Sequence, residues 1–227
     1  MKSLTAVLEW VQLAGYFGLA LLCLQLWRRH RTAAAGWLAS TFGVLGVVVL
    51  AAAFLGPEGG QDVPVWLAKV LIAFLLLFPY FLYRFTATLV KTPRWADGTA
   101  AAVTAVIAAW TLFLPEFPVA DAPITGVFRA YVVAVLVQWS VLSVTASVSL
   151  WVAGRGEPGL PRRRMRLLAL AAMGLNLTIV LSGSVNGGRP EEVVELVTQV
   201  MGIVGAGFFY VAFAPPRILR TAWRRRE

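Results

Sequence analysis

Residues 5–31 read TAVLEWVQLAGYFGLALLCLQLWRRHR. Between Thr5 and Trp27 the only charged side chain is Glu9. A run of about 20 mostly apolar residues is what an α-helix needs to cover roughly 30 Å of hydrocarbon. The basic cluster Arg28, Arg29, His30 and Arg31 follows the apolar run, whereas a secretory signal carries its charges in front. The stretch therefore reads as a first transmembrane helix that is retained. The same grammar repeats along the chain, with further apolar segments at 33–55, 65–89, 99–115, 127–153, 167–185 and 193–214. The expected fold is an all-α integral membrane protein, a seven-transmembrane helix bundle over residues 1–214. A basic amphipathic juxtamembrane segment at 215–227 completes the chain.

Composition and charge agree with this class. Hydrophobic residues make up 59% of the 227, and mean hydropathy is +0.76. The nine Trp suit the two membrane interfaces. The net charge of +9 would suggest nucleic acid in a soluble protein, but its placement argues otherwise. Of the 20 Lys and Arg, only Lys2, Lys69, Arg129 and Arg189 lie on one side of the alternation; the rest fill the first, third and fifth gaps and the C-terminal tail. By the positive-inside rule the N-terminus is outside and the C-terminus cytoplasmic, in a multi-pass protein of the cell membrane. Connections are short and rich in Gly and Pro, which suits a single bundle with no folded domain between helices.

Several function classes lack material. One cysteine, Cys23, excludes an intramolecular disulfide, and one histidine, His30, excludes histidine-based metal sites and catalytic triads. No metal, cofactor or catalytic residue is expected. Helix seven has no lysine between 193 and 214, which argues against a retinal Schiff base. An integral membrane enzyme would need converging His, Asp, Glu or Cys, while the cytoplasmic side offers arginine with Asp97 and Glu157.

Packing signals come from small residues, which let helices approach where lipid is as apolar as leucine. Gly36, Ser40 and Gly43 line one side of helix two, and Gly202 and Ala206 continue the line of Glu195 and Gln199 on helix seven. Pro79 is expected to kink helix three, because proline removes a backbone donor.

Charges within apolar segments are costly and normally face a bundle interior, a cavity or the interface. Glu9, Lys69, Arg129 and Glu195 all fall in the outer turns of helices one, three, five and seven. Glu9 shares a stripe with Gln12 and Tyr16, and Glu195 with Thr198 and Gln199. Arg129 aligns with Ser140, Ser143 and Ser147, while Gln138, Thr145 and Ser149 occupy the opposite side, so helix five is expected at the centre of the bundle. Two readings stand. The long side chains snorkel to headgroups or pair with one another. Alternatively Glu9, Gln12, Tyr16, Lys69, Arg129, Glu195 and Gln199 rim an outward-opening pocket for a small polar or amphiphilic ligand, with Lys69 and Arg129 holding an anionic group.

The tail after helix seven, Ala214-Pro215-Pro216-Arg217-Ile218-Leu219-Arg220-Thr221-Ala222-Trp223-Arg224-Arg225-Arg226, puts Arg217, Arg220 and Arg224 on one face, as for a short helix on an anionic leaflet. Together with Leu77-Phe78-Pro79-Tyr80-Phe81-Leu82-Tyr83-Arg84-Phe85 it resembles the N-terminal seven-helix membrane region of actinobacterial sensor proteins. In that family the pattern Phe-Ala-Pro-Pro-Arg-x-Leu-Arg-x-x-Trp-Arg-Arg, here Phe213 to Arg225, leads into GAF plus histidine kinase domains or a serine/threonine phosphatase. The resemblance implies a sensory input module of two-component type. Within it Pro79, Pro215, Pro216, Arg217, Arg220 and Trp223 are candidates for passing the signal onward. No kinase histidine box, nucleotide-binding motif or GAF domain occurs in the 227 residues, so the output is expected on a longer chain or on a separate partner. The sequence is compatible with a homodimer. The alternative function is a small-solute transporter or permease. Against it stands the lack of a pair of interrupted helices in related halves.

Overall fold

In the computed structural model the described residues are 2–55, 64–114, 125–184 and 191–216. Seven α-helices run in order: α1 Lys2–His30, α2 Ala33–Leu55, α3 Val65–Ala87, α4 Arg94–Phe113, α5 Gly126–Ala153, α6 Gly159–Ser184 and α7 Glu191–Phe213. Among the described residues there is no strand. Stretches of six helices, from Trp10–His30 in α1 to Gly159–Ser182 in α6, are long and apolar enough to cross a bilayer, as in a multi-pass membrane protein. In α7 the apolar part among the described residues is Val197–Phe213.

The short turns explain why neighbouring helices run antiparallel. Between α1 and α2 only two residues intervene. Arg31 adopts φ 52°, in the left-handed region, and its N–H donates to the Trp27 carbonyl at 2.8 Å. Its guanidinium lies 4.9 Å from the Trp27 ring centroid. The Thr32 hydroxyl then accepts from Ala35 N–H at 3.3 Å, which opens α2. Thr125 caps α5 in the same way, accepting from Phe128 N–H at 3.3 Å. The α1–α2 turn, the turns after α3 and α5 and the end of α7 lie together at one end, the basic end.

Six helices close into a ring: α1 packs on α2, α2 on α3, α3 on α5, α5 on α6, α6 on α7, and α7 back on α1. The ring has a solid aromatic centre. Phe42 of α2 meets Phe78 and Phe209 edge-on, with centroids 6.3 and 4.8 Å away, and Phe78 stacks on Trp139 at 5.7 Å. Tyr16 and Leu19 of α1 and Ala171 and Ala172 of α6 complete the core. Helix α4 stands outside the ring, packed chiefly on α3, with a small core of its own around Ile107, Leu114, Leu76 and Tyr131.

Four expectations are corrected. Helix α6 begins at Gly159 rather than 167, so Arg162, Arg163, Arg164 and Arg166 are helical. Hydropathy hides this turn because arginine is polar, yet it is a good helix former and Pro161 sits in the first turn, where it is tolerated. Helix α4 likewise begins at Arg94, after Pro93. Helix α5 belongs to the ring wall, since Val133, Val137, Val141 and Val148 are exposed along one face. On α2 the closest approach is made by Gly46, where an added Cβ would stand 2.9 Å from that of Ala20, while Gly43 has open space.

Candidate functional site

The residues expected to rim one outer pocket separate into two groups. Gln12 and Tyr16 of α1 face α7. The Tyr16 hydroxyl donates to the Gly202 carbonyl at 2.9 Å, and a Cβ on Gly202 would meet Gln12 Nε2 at 2.8 Å. Gln199 is buried on the same side of α7, with Gly202 and Ala206 one and two turns on. The small-residue face of α7 thus packs against α1, where a Cβ added at Gly15 would stand 3.4 Å from that of Ala206. On the other side of the bundle, Lys69 Nζ donates to the Leu114 carbonyl, where α4 ends. Arg129 is exposed on the first turn of α5. The side chains of Glu9 and Glu195 fall outside the described residues, as do Arg217, Arg220 and Trp223. Helix α3 continues through Pro79, which is buried, and at the other end Pro215 is buried and Pro216 exposed.

The basic end holds two polar assemblies that hydropathy could not reveal. In the first, Asp97 on the first turn of α4 gathers three partners. Arg84 reaches it at 2.8 Å, the Tyr83 hydroxyl donates at 2.9 Å, and the Thr92 hydroxyl donates at 3.0 Å. The Arg84 guanidinium also lies 5.1 Å from the Trp37 ring, so α2, α3 and α4 meet there. In the second, Arg164 of α6 grips the last carbonyls of α7. Its Nε donates to Ala212 O at 2.5 Å and an Nη to Phe213 O at 2.7 Å. A cation on the orphan carbonyls of a helix end satisfies both their hydrogen bonding and the helix dipole.

Beside the Asp97 assembly lies a cleft of about 540 Å³ walled by α4 and α5. Its origin is a divergence of the two helices. At one end they are joined by the Thr111 and Tyr131 hydroxyls, 2.8 Å apart, and by Trp110 edge-on to Tyr131 at 5.7 Å. Midway, Gln138 Nε2 donates to Thr104 Oγ1 at 3.1 Å. Toward the other end Asp97 draws α4 toward α3, and the gap from α5 widens between walls of Ala96, Ala100, Val103 and Val141, with Ala134 at its inner limit. Tyr83 and Trp95 stand at its basic end. The only sequence hint was the alanine-rich face of α4. Among the described residues no three His, Cys, Asp or Glu converge as a metal site would require.

Comparison with protein-family models, with curated proteins and with solved structures finds no match to this chain.

Proposed function

We propose that the chain is a membrane sensory input module, a receptor-type bundle that crosses the cell membrane seven times with its C-terminus in the cytoplasm. It passes an extracellular or membrane-derived signal to a cytoplasmic output of the histidine kinase type. The observation that carries the reading is the Arg164 grip on Ala212 and Phe213. It ties α6 to the point where α7 gives way to Pro215 and Pro216, beyond which the tail motif resembles the lead into signalling domains. Charge-assisted bonds to two carbonyls couple the exit of α7 to its neighbour through fixed geometry. Midway along α7 the Tyr16 hydroxyl holds the Gly202 carbonyl and Gln12 packs against the same residue, so a change in α1–α7 packing has a direct mechanical route to the tail. The aromatic centre made by Phe42, Phe78, Trp139 and Phe209 favours this reading over a transporter, which needs a path for solute.

The test begins with a thermal-shift screen of the purified chain against lipids, quinones, amino acids and organic anions. A ligand at 100 times its dissociation constant stabilises by about 2.7 kcal/mol. Spin labels at Val90 and Ala214 then report the α3-to-α7 distance by electron resonance; Cys23 is fully buried and stays unlabelled. A stabilising ligand should shift that distance distribution, and Arg164→Leu should uncouple it. A fixed distribution under every stabilising ligand overturns the reading, as does solute flux in proteoliposomes that depends on Lys69 or Arg129.

A further inference from the structure

The cleft between α4 and α5 is a candidate binding site independent of the sensory reading. Three observations fix the chemistry of what fills it. First, the walls have little polar to offer. Tyr83 gives its proton to Asp97, Gln138 donates to Thr104, and the Thr145 hydroxyl is turned back on the Val141 carbonyl at 2.6 Å. The unpartnered Gln138 Oε1 is buried. Second, the dimensions are those of one leaflet. From Trp95 to Ile107 on α4, and from Ala134 to Thr145 on α5, the walls span 12 and 11 residue-to-residue steps. At 1.5 Å per residue that is about 17 Å, close to half of a hydrocarbon core of about 30 Å. Third, the basic end is marked as an interface. Trp95, 74% exposed, sits there as interfacial tryptophans do. Arg84 and Asp97 offset each other, whereas Lys91 and Arg94 are exposed beside the mouth.

We propose that this cleft is a binding site for an anionic phospholipid, one acyl chain lying between α4 and α5 and the headgroup held at Arg94 and Lys91. The occupant is hydrocarbon along the walls, because Ala100, Val103, Ile107, Val137, Val141 and Leu142 make up most of them and the hydroxyls of Tyr83 and Thr145 are turned to partners within the protein. It carries negative charge at the mouth, near which Lys91 and Arg94 are exposed in the α3–α4 turn and at the start of α4. The chain runs past the bond between Gln138 and Thr104 and stops at Ile107 and Ala134, short of the point where Thr111 and Tyr131 join the helices.

The full chain in mild detergent is titrated with dioleoyl phosphatidylglycerol or dioleoyl phosphatidylcholine, and bound lipid is counted by native mass spectrometry. The anionic lipid should bind several-fold more tightly. Arg94→Gln and Lys91→Gln should each erode that preference about fivefold, as one basic residue near a charged surface does, with phosphatidylcholine binding unchanged. Filling the cleft from either wall, by Ala100→Phe or Ala134→Phe, should lower affinity for both lipids tenfold or more. Equal affinity for the two lipids overturns the headgroup assignment. Wild-type affinity in either filled variant, with helicity intact by circular dichroism, overturns the site. A measurement on the unaltered protein guards against misfolded variants: phosphatidylglycerol with a photoreactive acyl chain should label peptides containing Val103 and Val137. Labelling spread evenly over the lipid-facing helices overturns the proposal.

Discussion

The α1–α7 seam and the α4–α5 seam are built from similar small residues, yet one is shut and the other gapes. At the first, a Cβ on Gly15 would already be in contact with Ala206, and Gly202 lies so close to α1 that Gln12 fills the space a side chain would take. At the second, Ala96, Ala100 and Ala134 line a cleft of about 540 Å³. Small residues permit close approach; cross-helix pins decide whether it happens. Tyr16 pins α1 to the Gly202 backbone. On α4, Thr111 pins one end to α5 and Asp97 pins the other to α3, so the helix leaves α5 along its length.

The largest effect should come from forcing the shut seam open. Gly202→Leu has no room beside Gln12 and must part α1 from α7, at a cost of about 3 kcal/mol. Thermal unfolding in detergent measures it. Gly202→Ala should cost much less, since the atoms it meets belong to the flexible end of Gln12. If the leucine variant unfolds with wild-type stability, the seam is not closed by backbone approach.

Releasing α4 comes next. Asp97→Ala removes the acceptor shared by Arg84, Tyr83 and Thr92. The ion pair is about a quarter exposed on each side, 29% and 27%, so solvent screening trims its value and the loss should be about 1 to 2 kcal/mol. The more telling readout is geometric. With its tether to α3 cut, α4 should swing toward α5, and spin labels at Thr99 and Val141 should draw closer. An unchanged distance would mean that the cleft is set by something other than the Asp97 pin.

How much of this was legible in the sequence follows from what leaves a periodic trace. The helices were, because each is an apolar run bounded by Gly, Pro or arginine, and the α7 face of Gln199, Gly202 and Ala206 was readable as a protein contact from its spacing. Boundaries failed where polarity and helicity part company, as in the arginine turn of α6. Of the outer charges read as sharing a depth, Glu9, Lys69, Arg129 and Glu195, the described side chains Lys69 and Arg129 lie on α3 and α5, whereas Gln12 and Tyr16 of the Glu9 stripe face α7; depth is all that hydropathy encodes. Lys69 and Arg164 were unreadable for a different reason. Their partners are the backbone carbonyls of Leu114, Ala212 and Phe213, and a carbonyl carries no residue identity. The cleft escaped notice because it comes from two helices diverging, which no single segment records.

Two hydroxyl deletions make the finest test of the contrast between the seams. Tyr16→Phe removes a bond that crosses from α1 to a backbone carbonyl of α7 in a buried place, and the orphaned Gly202 oxygen cannot turn to water. The loss should be about 1 kcal/mol. Thr145→Val removes a hydroxyl of similar polarity from the open seam. That hydroxyl serves only the carbonyl of its own helix one turn back, and its residue is exposed on the cleft wall. Its replacement by an isosteric methyl should stay within about 0.5 kcal/mol of wild type. Measured side by side in one detergent, the two unfolding curves separate a hydroxyl that joins helices from one that merely lines a gap. Equal losses would show that Thr145 bears on the packing of α4 against α5, and the cleft would then be a narrower space than its walls describe.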